Sequence, residues 1–363
     1  MNKQMKWTLC GLLSALCLPL QLMANVAIPQ AVSVRQADGK EVQIRVHGDE
    51  FFHYTTDMNG YLINQKKDGN YYYSSFTEDG RIRLSANPYG SLKPVMHREY
   101  IPQTVKEKAV QRREELNARR NGAGLRSAPA RSAILTHPTP RQLVLLVEYT
   151  DVKFSSATAN ADFSALLNEK GYFQNGATGS AYDYFYENSL HQFNPTFDVY
   201  GPFTTSKAMA EYGGNTEYGS DKNPQEMIVE ALQAAAANGV DLSRYDLDGD
   251  GMLDNVFVFY AGFSESEGGD ENTIWPHASN LYYQNISING IRLGSYACSS
   301  ELRFSNKTMC GIGTFCHEYA HVLGLWDIYD TDYEENGSAN DWGILSLMSA
   351  GNYNNNGRTP RYT

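Results

Sequence analysis

His317-Glu318-Tyr319-Ala320-His321-Val322-Leu323-Gly324-Leu325-Trp326-Asp327 is the stretch on which the reading of this chain turns. On a helix, residues four apart share a face, so His317 and His321 present two imidazoles to one ion. Glu318 lies one residue on, where a carboxylate reaches a water at the ion without ligating it. Gly324 is free to take positive φ and end the helix in a left-handed turn. That turn brings Asp327 back as a third ligand and leaves the fourth position open. Two histidines and a carboxylate around an open position make a catalytic zinc site, whereas structural zinc sites are closed and usually rich in cysteine. Ordinary core or surface histidines on a helix do not require the later Gly and Asp. A third ligand at Glu334 or Glu335 is the alternative, but these residues lie close to His321 for that architecture, and Asp327 has the better spacing.

Outward from the motif, residues 142–363 read as an α/β catalytic domain. Leu143-Val144-Leu145-Leu146-Val147 is a continuous apolar run, as in a strand buried on both faces. Asn223-Pro224 followed by Glu226 starts a helix whose apolar stripe is Met227, Ile228, Ala231, Leu232 and Ala235, with Asn238-Gly239 at its end. Val256 to Tyr260 reads as a second buried strand. Just before it, Asp246, Asp248, Asp250 and Asp254 alternate through a tight turn in which Gly251 allows the bend. Their carboxylates and the Met252 carbonyl suit one hard cation, so structural calcium is expected here. Phe257 stands where a full EF-hand loop has its glutamate. An acidic turn holding no ion is the competing reading.

The N-terminal part has a different texture. Lys3 and Lys6, the apolar Trp7 to Leu22, and Leu22-Met23-Ala24 before Asn25 form a secretory signal over residues 1–24. Pro19 and the length disfavour a membrane anchor, the bulky Leu16 before Cys17 disfavours a lipoprotein, and no other segment is apolar enough to span a bilayer. Residues 25–103 are read as a β-rich prosegment. Asp38-Gly39, Asn59-Gly60, Asp68-Gly69 and Asp79-Gly80 mark its turns, and alternating runs such as Val42 to Val46 lie between them. Residues 104–141 are read as a polar helix from about Thr104 to Arg120 and a Gly/Pro-containing linker. Arg112-Arg113, Arg119-Arg120, Arg126 and Arg131 open this stretch to trypsin-like cleavage.

Charge divides at the same place. Residues 1–141 carry 20 Lys and Arg against 12 Asp and Glu, a balance of +8; residues 142–363 carry 10 against 29, a balance of −19. The acidic second part argues against a nucleic-acid partner, and the two parts are expected to attract. Of five cysteines, Cys10 and Cys17 leave with the signal. Among Cys298, Cys310 and Cys316, the plausible disulfide joins Cys298 to Cys310, with Cys316 a small buried residue. His277 is expected to be a hydrogen-bonded structural histidine. His47, His53 and His97 belong to the N-terminal unit and could act on the site only as inhibitors.

The segments LVLLVEYTD, SAYDYFYENSL, YDLDGDGMLDNVFVFYAG, CHEYAHVLGLWDIYD and ILSLMSAG together resemble the catalytic domain of immune inhibitor A-type secreted bacterial metalloproteases, a metzincin-like branch of the zincins. Residues 31–100 are similar to that group's prosegment. The resemblance implies a zincin-like fold with an active-site helix and a Met-turn at Met348. By position it also implies zinc ligands His317, His321 and Asp327, the general base Glu318, and calcium at the Asp246 loop. Trp326 stands where relatives usually have proline. The chain stops at Gly357 to Thr363 where relatives continue, which implies a catalytic domain incomplete at its C-terminus. The expected protein is therefore a secreted zinc endopeptidase made as a zymogen and acting on proteins or peptides, with Tyr353 a candidate for oxyanion stabilisation. A calcium-stabilised surface or adhesion protein keeping the fold without activity is the alternative, against which the intact His317, Glu318 and His321 argue.

Overall fold

The continuous apolar runs lie in one mixed sheet with helices on both sides. The structure is a computed structural model that describes residues 23–91, 101–122, 133–216, 219–331, 333 and 341–361. The apolar leader before Met23, His97, residues 123–132 of the linker, Glu334 and Glu335 lie outside the described residues.

In chain order, β1 (Met23–Ala24) precedes six strands of the N-terminal unit: β2 (Val32–Arg35), β3 (Glu41–Gly48), β4 (His53–Asp57), β5 (Ile63–Gln65), β6 (Tyr71–Phe76) and β7 (Ile82–Pro88). They form two three-stranded antiparallel sheets, β2-β3-β4 and β5-β6-β7. The Asp-Gly and Asn-Gly pairs make the turns, with Gly39, Gly60, Gly69 and Gly80 at positive φ. Helix α1 (Gln103–Gly122) follows, close to its expected limits.

Apart from short helical turns, the elements that follow are β8 (Arg141–Glu148), α2 (Ala159–Asn168), α3 (Ala181–Asn188), β9 (Thr196–Thr204), α4 (Pro224–Ala237), β10 (Asn255–Tyr260), β11 (His277–Asn280), a small hairpin of β12 (Ser287–Ile288) and β13 (Ile291–Arg292), β14 (Ser295–Ser300) and α5 (Gly313–Leu323). The main sheet has the order β1-β11-β14-β10-β8-β9. Strands β14, β10, β8 and β9 run parallel; β11 is antiparallel to β14, and β1 is antiparallel to β11.

Both faces of the parallel strands are buried, which is why their sequences do not alternate. Val144, Leu146, Phe257, Phe259 and Ala297 pack with α2, α3 and α5. Leu143, Leu145, Val147, Val256, Val258, Tyr296 and Cys298 pack with α4 through Met227, Ile228, Ala231, Leu232 and Ala235. This places Cys298 and Cys310 in the cores on opposite faces of the sheet. The expected Cys298–Cys310 disulfide is accordingly absent: Cys298, Cys310 and Cys316 are all free and buried. The N-terminal unit shares a third core with the second part of the chain, where Val32, Ile44, Val46 and Tyr73 join Trp275, Ala350 and Tyr353. Among the described residues, no helix is long and apolar enough to cross a membrane.

Candidate metal centre

Helix α5 carries the motif as its period requires. Phe315, Cys316, Tyr319 and Ala320 belong to the sheet-facing core, and His317, Glu318 and His321 are buried as well. Gly324 has φ +104°, and its amide donates to the His321 carbonyl while that of Leu325 donates to Ala320. This pair of bonds is the Schellman ending that a left-handed residue permits, and it turns the chain back towards the histidines. Trp326 does not prevent the return.

Three donor atoms converge there. His317 Nε2 and His321 Nε2 lie 3.2 Å apart, and each is 3.3 Å from Asp327 Oδ1. A tetrahedral zinc with ligand distances of about 2.0–2.1 Å holds its donors about 3.3 Å from one another, so these residues fit such an ion. The tautomers agree with that use. His317 Nδ1–H donates to the Leu347 carbonyl at 2.7 Å, and His321 Nδ1–H to the Leu325 carbonyl at 2.9 Å. Both Nε2 atoms then face inward as lone pairs beside a carboxylate, an arrangement that calls for a cation. The carbonyls that orient the rings carry no side-chain signal, and reasoning on the sequence missed them. Met348, at the expected Met-turn, is buried in the same core as the helix, and its carbonyl accepts from Ile328.

Glu318 is fully buried, and neither of its carboxylate oxygens has a hydrogen-bond partner. Burial raises its carboxyl well above the usual range, and the neighbouring Asp327 and Glu50 raise it further. Burial also works against ionised Asp327, but His321 and His317 overcome this and hold it below the usual range. Burial lowers His321, more than Asp327 raises it.

The N-terminal unit packs against elements around this centre through contacts that have no signal in the sequence. The tip of the β3–β4 hairpin, Asp49 to Phe52, packs against Tyr333, whose ring Phe52 meets edge-on at 5.4 Å. Buried Asp49 pairs with Arg113 of α1 and accepts from the Tyr333 hydroxyl. His53 is 3.2 Å from Glu265 and stacks on Trp275 with ring centroids 4.5 Å apart. Asn25 donates to the Tyr353 hydroxyl at 2.8 Å, and Tyr353 in turn donates to the Val26 carbonyl at 2.7 Å. The phenol named above for the oxyanion is thus engaged by the N-terminal unit. Arg113, expected to be open to cleavage, is instead buried against Asp49 because α1 packs onto the hairpin. His277 Nδ1–H donates to the Trp275 carbonyl at 2.7 Å and its Nε2 accepts from the Tyr296 hydroxyl at 2.8 Å, the structural role expected of it.

Asp246, Asp248 and Asp250 bring three carboxylates within reach of one cation. Asp246 also accepts from the amides of Asp250 and Gly251, and Asp250 from that of Met252. Asp254 accepts from the Leu247 amide at 2.9 Å; burial, opposed by that bond and reinforced by the other aspartates, raises its carboxyl to about 7.

Residues 136–362 match the family described as immune inhibitor A peptidase M6, catalytic domain. The chain is 28% identical over 246 residues to immune inhibitor A of Bacillus thuringiensis subsp. alesti, a match covering 56% of this chain and 35% of that protein. It is also 28% identical over 235 residues to the pre-pro-metalloprotease PrtV of Vibrio cholerae serotype O1 (strain M66-2), covering 58% of this chain and 25% of that protein. The matches therefore span about a third and a quarter of these relatives' lengths.

Proposed function

The chain belongs to the immune inhibitor A family of M6 peptidases, and from that premise we propose that it is a secreted zinc metalloendopeptidase made as a zymogen. The observation that carries the reading is the triangle of His317, His321 and Asp327 donors with the unpartnered Glu318 carboxylate beside it. His317, His321 and Asp327 would hold zinc, which when bound supplies Lewis acidity to a water and to the scissile carbonyl. Glu318 accepts the proton of the attacking water and passes it to the leaving amine nitrogen. The carbonyls of Leu347 and Leu325 keep both imidazoles in the tautomer that turns Nε2 inward. Two neutral imidazoles and one carboxylate leave the centre with about one positive charge, which favours a developing oxyanion.

The burial of His317, Glu318 and His321 supports the zymogen reading, since a peptide substrate cannot reach them in this arrangement. The name of the Vibrio relative, a pre-pro-metalloprotease, accords with it. The apolar leader at residues 1–24 supports export, and the Asp246, Asp248 and Asp250 loop, with Met252 and Asp254, supports a structural calcium. Cleavage falls beyond Arg113, in the stretch that includes Arg119, Arg126 and Arg131.

The test is zinc content and digestion of a casein-type substrate by the purified chain, before and after limited trypsin treatment. About one zinc per chain is expected throughout, with digestion appearing after cleavage. A chain that binds no zinc, or is inert after confirmed removal of the N-terminal unit, contradicts the reading.

A further inference from the structure

His53 sits in a socket that the second part of the chain builds. Its ring stacks on Trp275 with 21° between the planes, and its Nε2 is 3.2 Å from Glu265 Oε1. The walls of the socket are tied together: Asn215 donates to Glu265 at 2.7 Å, and Asp221 accepts from the Trp275 amide at 3.0 Å. Asn215 and Asp221 are themselves joined by an isolated antiparallel bridge. A cavity of about 270 Å³ lies beside His53, lined among others by Glu265, Asp270 and Glu271 of this part and by Arg81 of the N-terminal unit.

The imidazole fills this socket without satisfying it. Nδ1–H donates to the Asp49 carbonyl at 3.1 Å, which leaves Nε2 alone to face the acids. Glu265 Oε2, Asp221 Oδ1 and Asn215 Oδ1 are buried and have no hydrogen-bond partner. Acceptors gathered around an aromatic ring suit a larger, planar cation. A guanidinium stacks on an indole and carries five N–H donors, whereas an ammonium is a point charge. The socket also lies on a course that a peptide can follow. Ala24 stands opposite His277, the Asn25 amide donates to the Pro276 carbonyl, and the Asn25 carbonyl accepts from Trp275 Nε1 at 2.7 Å. That edge belongs to β11, whose Ala278 packs in one core with Phe315 and Cys316 of α5. An extended chain on this edge therefore passes both α5 and Trp275.

We propose that this socket is a specificity site for an arginine side chain of the peptide substrate, with the guanidinium on Trp275 between Glu265 and Asp221. His53 fills the place in the uncleaved chain, and departure of the N-terminal unit vacates it. The proposal rests on the zinc-endopeptidase reading and adds the substrate class to it. Glu265 supplies the charge and Trp275 the stacking surface, so a neutral side chain of the same shape gains only the second.

Two experiments test it. The first uses the full, uncleaved chain with His53→Gly, which empties the socket, and follows melting with methylguanidinium or the neutral N-methylurea at equal millimolar concentration. Methylguanidinium should raise the melting temperature of His53→Gly, and N-methylurea should not. Adding Glu265→Gln to His53→Gly should abolish the rise. Equal effects of the two compounds, or a rise that survives Glu265→Gln, overturn the proposal. The second uses the trypsin-cleaved, zinc-loaded chain after trypsin has been inhibited, with peptides that differ only in arginine against citrulline at one position at a time. At one position kcat/KM should favour arginine by at least about ten-fold, the scale of one hydrogen bond to a charged group. That preference should collapse in Glu265→Gln. No preference at any position, or one indifferent to Glu265→Gln, overturns the proposal even where His53→Gly fails to fold. Failure of the underlying reading looks different: the cleaved chain digests neither kind of peptide, while methylguanidinium still stabilises His53→Gly.

Discussion

His317, Glu318 and His321 were legible in the sequence because a helical period of 3.6 turns a spacing of four into a shared face, whatever surrounds it. Asp327 was legible because Gly324 can end the helix left-handed, and the two backbone bonds at that end are those such a residue allows. The Leu347 and Leu325 carbonyls were not, since every residue has a carbonyl and only the fold selects which ones meet a ring. At this scale the account separates two ligand sets. Asp327→Ala removes a donor 3.3 Å from both imidazoles and should weaken zinc binding by at least about ten-fold, the scale of effect seen even for outer-sphere partners of a metal site. Glu335→Ala should leave it unchanged. Zinc titrations giving the reverse order would move the third ligand to the Glu334–Glu335 pair.

Among the elements, the doubly buried strands and the stripe of α4 followed from apolar pattern alone, because burial on both faces leaves no polar alternation. The small hairpins followed from their Asp-Gly and Asn-Gly turns. The cysteine pairing failed, since separation in sequence says nothing about which face of a sheet each thiol joins. Two elements carry tests of their own. In the Asp246 to Asp254 loop, burial followed by the neighbouring aspartates raises the Asp250 carboxyl, as expected where acids crowd without a counter-ion. Calcium at a hundredfold excess over its Kd should add about 3 kcal/mol of stability. Chelation should lower the melting temperature and open residues 241–256 to proteolysis, and the double change Asp248→Ala with Asp250→Ala should reproduce that at saturating calcium. Melting indifferent to calcium in the intact chain would make the loop an acidic turn. The second element is the β3–β4 hairpin, docked through His53. Burial opposes its charge, but Glu265 outweighs this, and its pKa is raised. The groups facing it are Glu265, Asp221, the Asp49 carbonyl and the Trp275 ring, with Arg112 acting on Asp221. Burial and then Glu265 raise the Asp221 carboxyl well above the usual carboxylate range. A raised histidine pKa contributes stability that is fully present below its unfolded value of about 6.5 and is lost as pH rises through the folded value. The intact chain should therefore lose thermal stability as pH rises above about 6.5, and His53→Gln should flatten that slope. An unchanged slope in the variant would assign the pH dependence to other groups.

For the molecule as a whole, the charge division between residues 1–141 and 142–363 pointed to two parts that attract, but not to how they meet. Beside the shared core and the β1–β11 pairing, polar contacts join them, among them Asp49 with Tyr333, His53 with Glu265, and Asn25 with Tyr353. Surface charge guides association and is screened by salt, whereas these buried pairs fix the register. Together they hold the N-terminal unit against the part of the chain that carries the centre, the arrangement on which the proposed zymogen reading stands. The centre's chemistry is tested most directly by Glu318→Gln in the chain freed of its N-terminal unit. This change removes the proton acceptor and keeps His317, His321 and Asp327. Zinc content and peptide hydrolysis should be measured on the same samples as the parent. The account predicts equal zinc, about one ion per chain, with hydrolysis reduced by roughly 100-fold or more. Equal hydrolysis by Glu318→Gln and parent, at equal zinc, would contradict it.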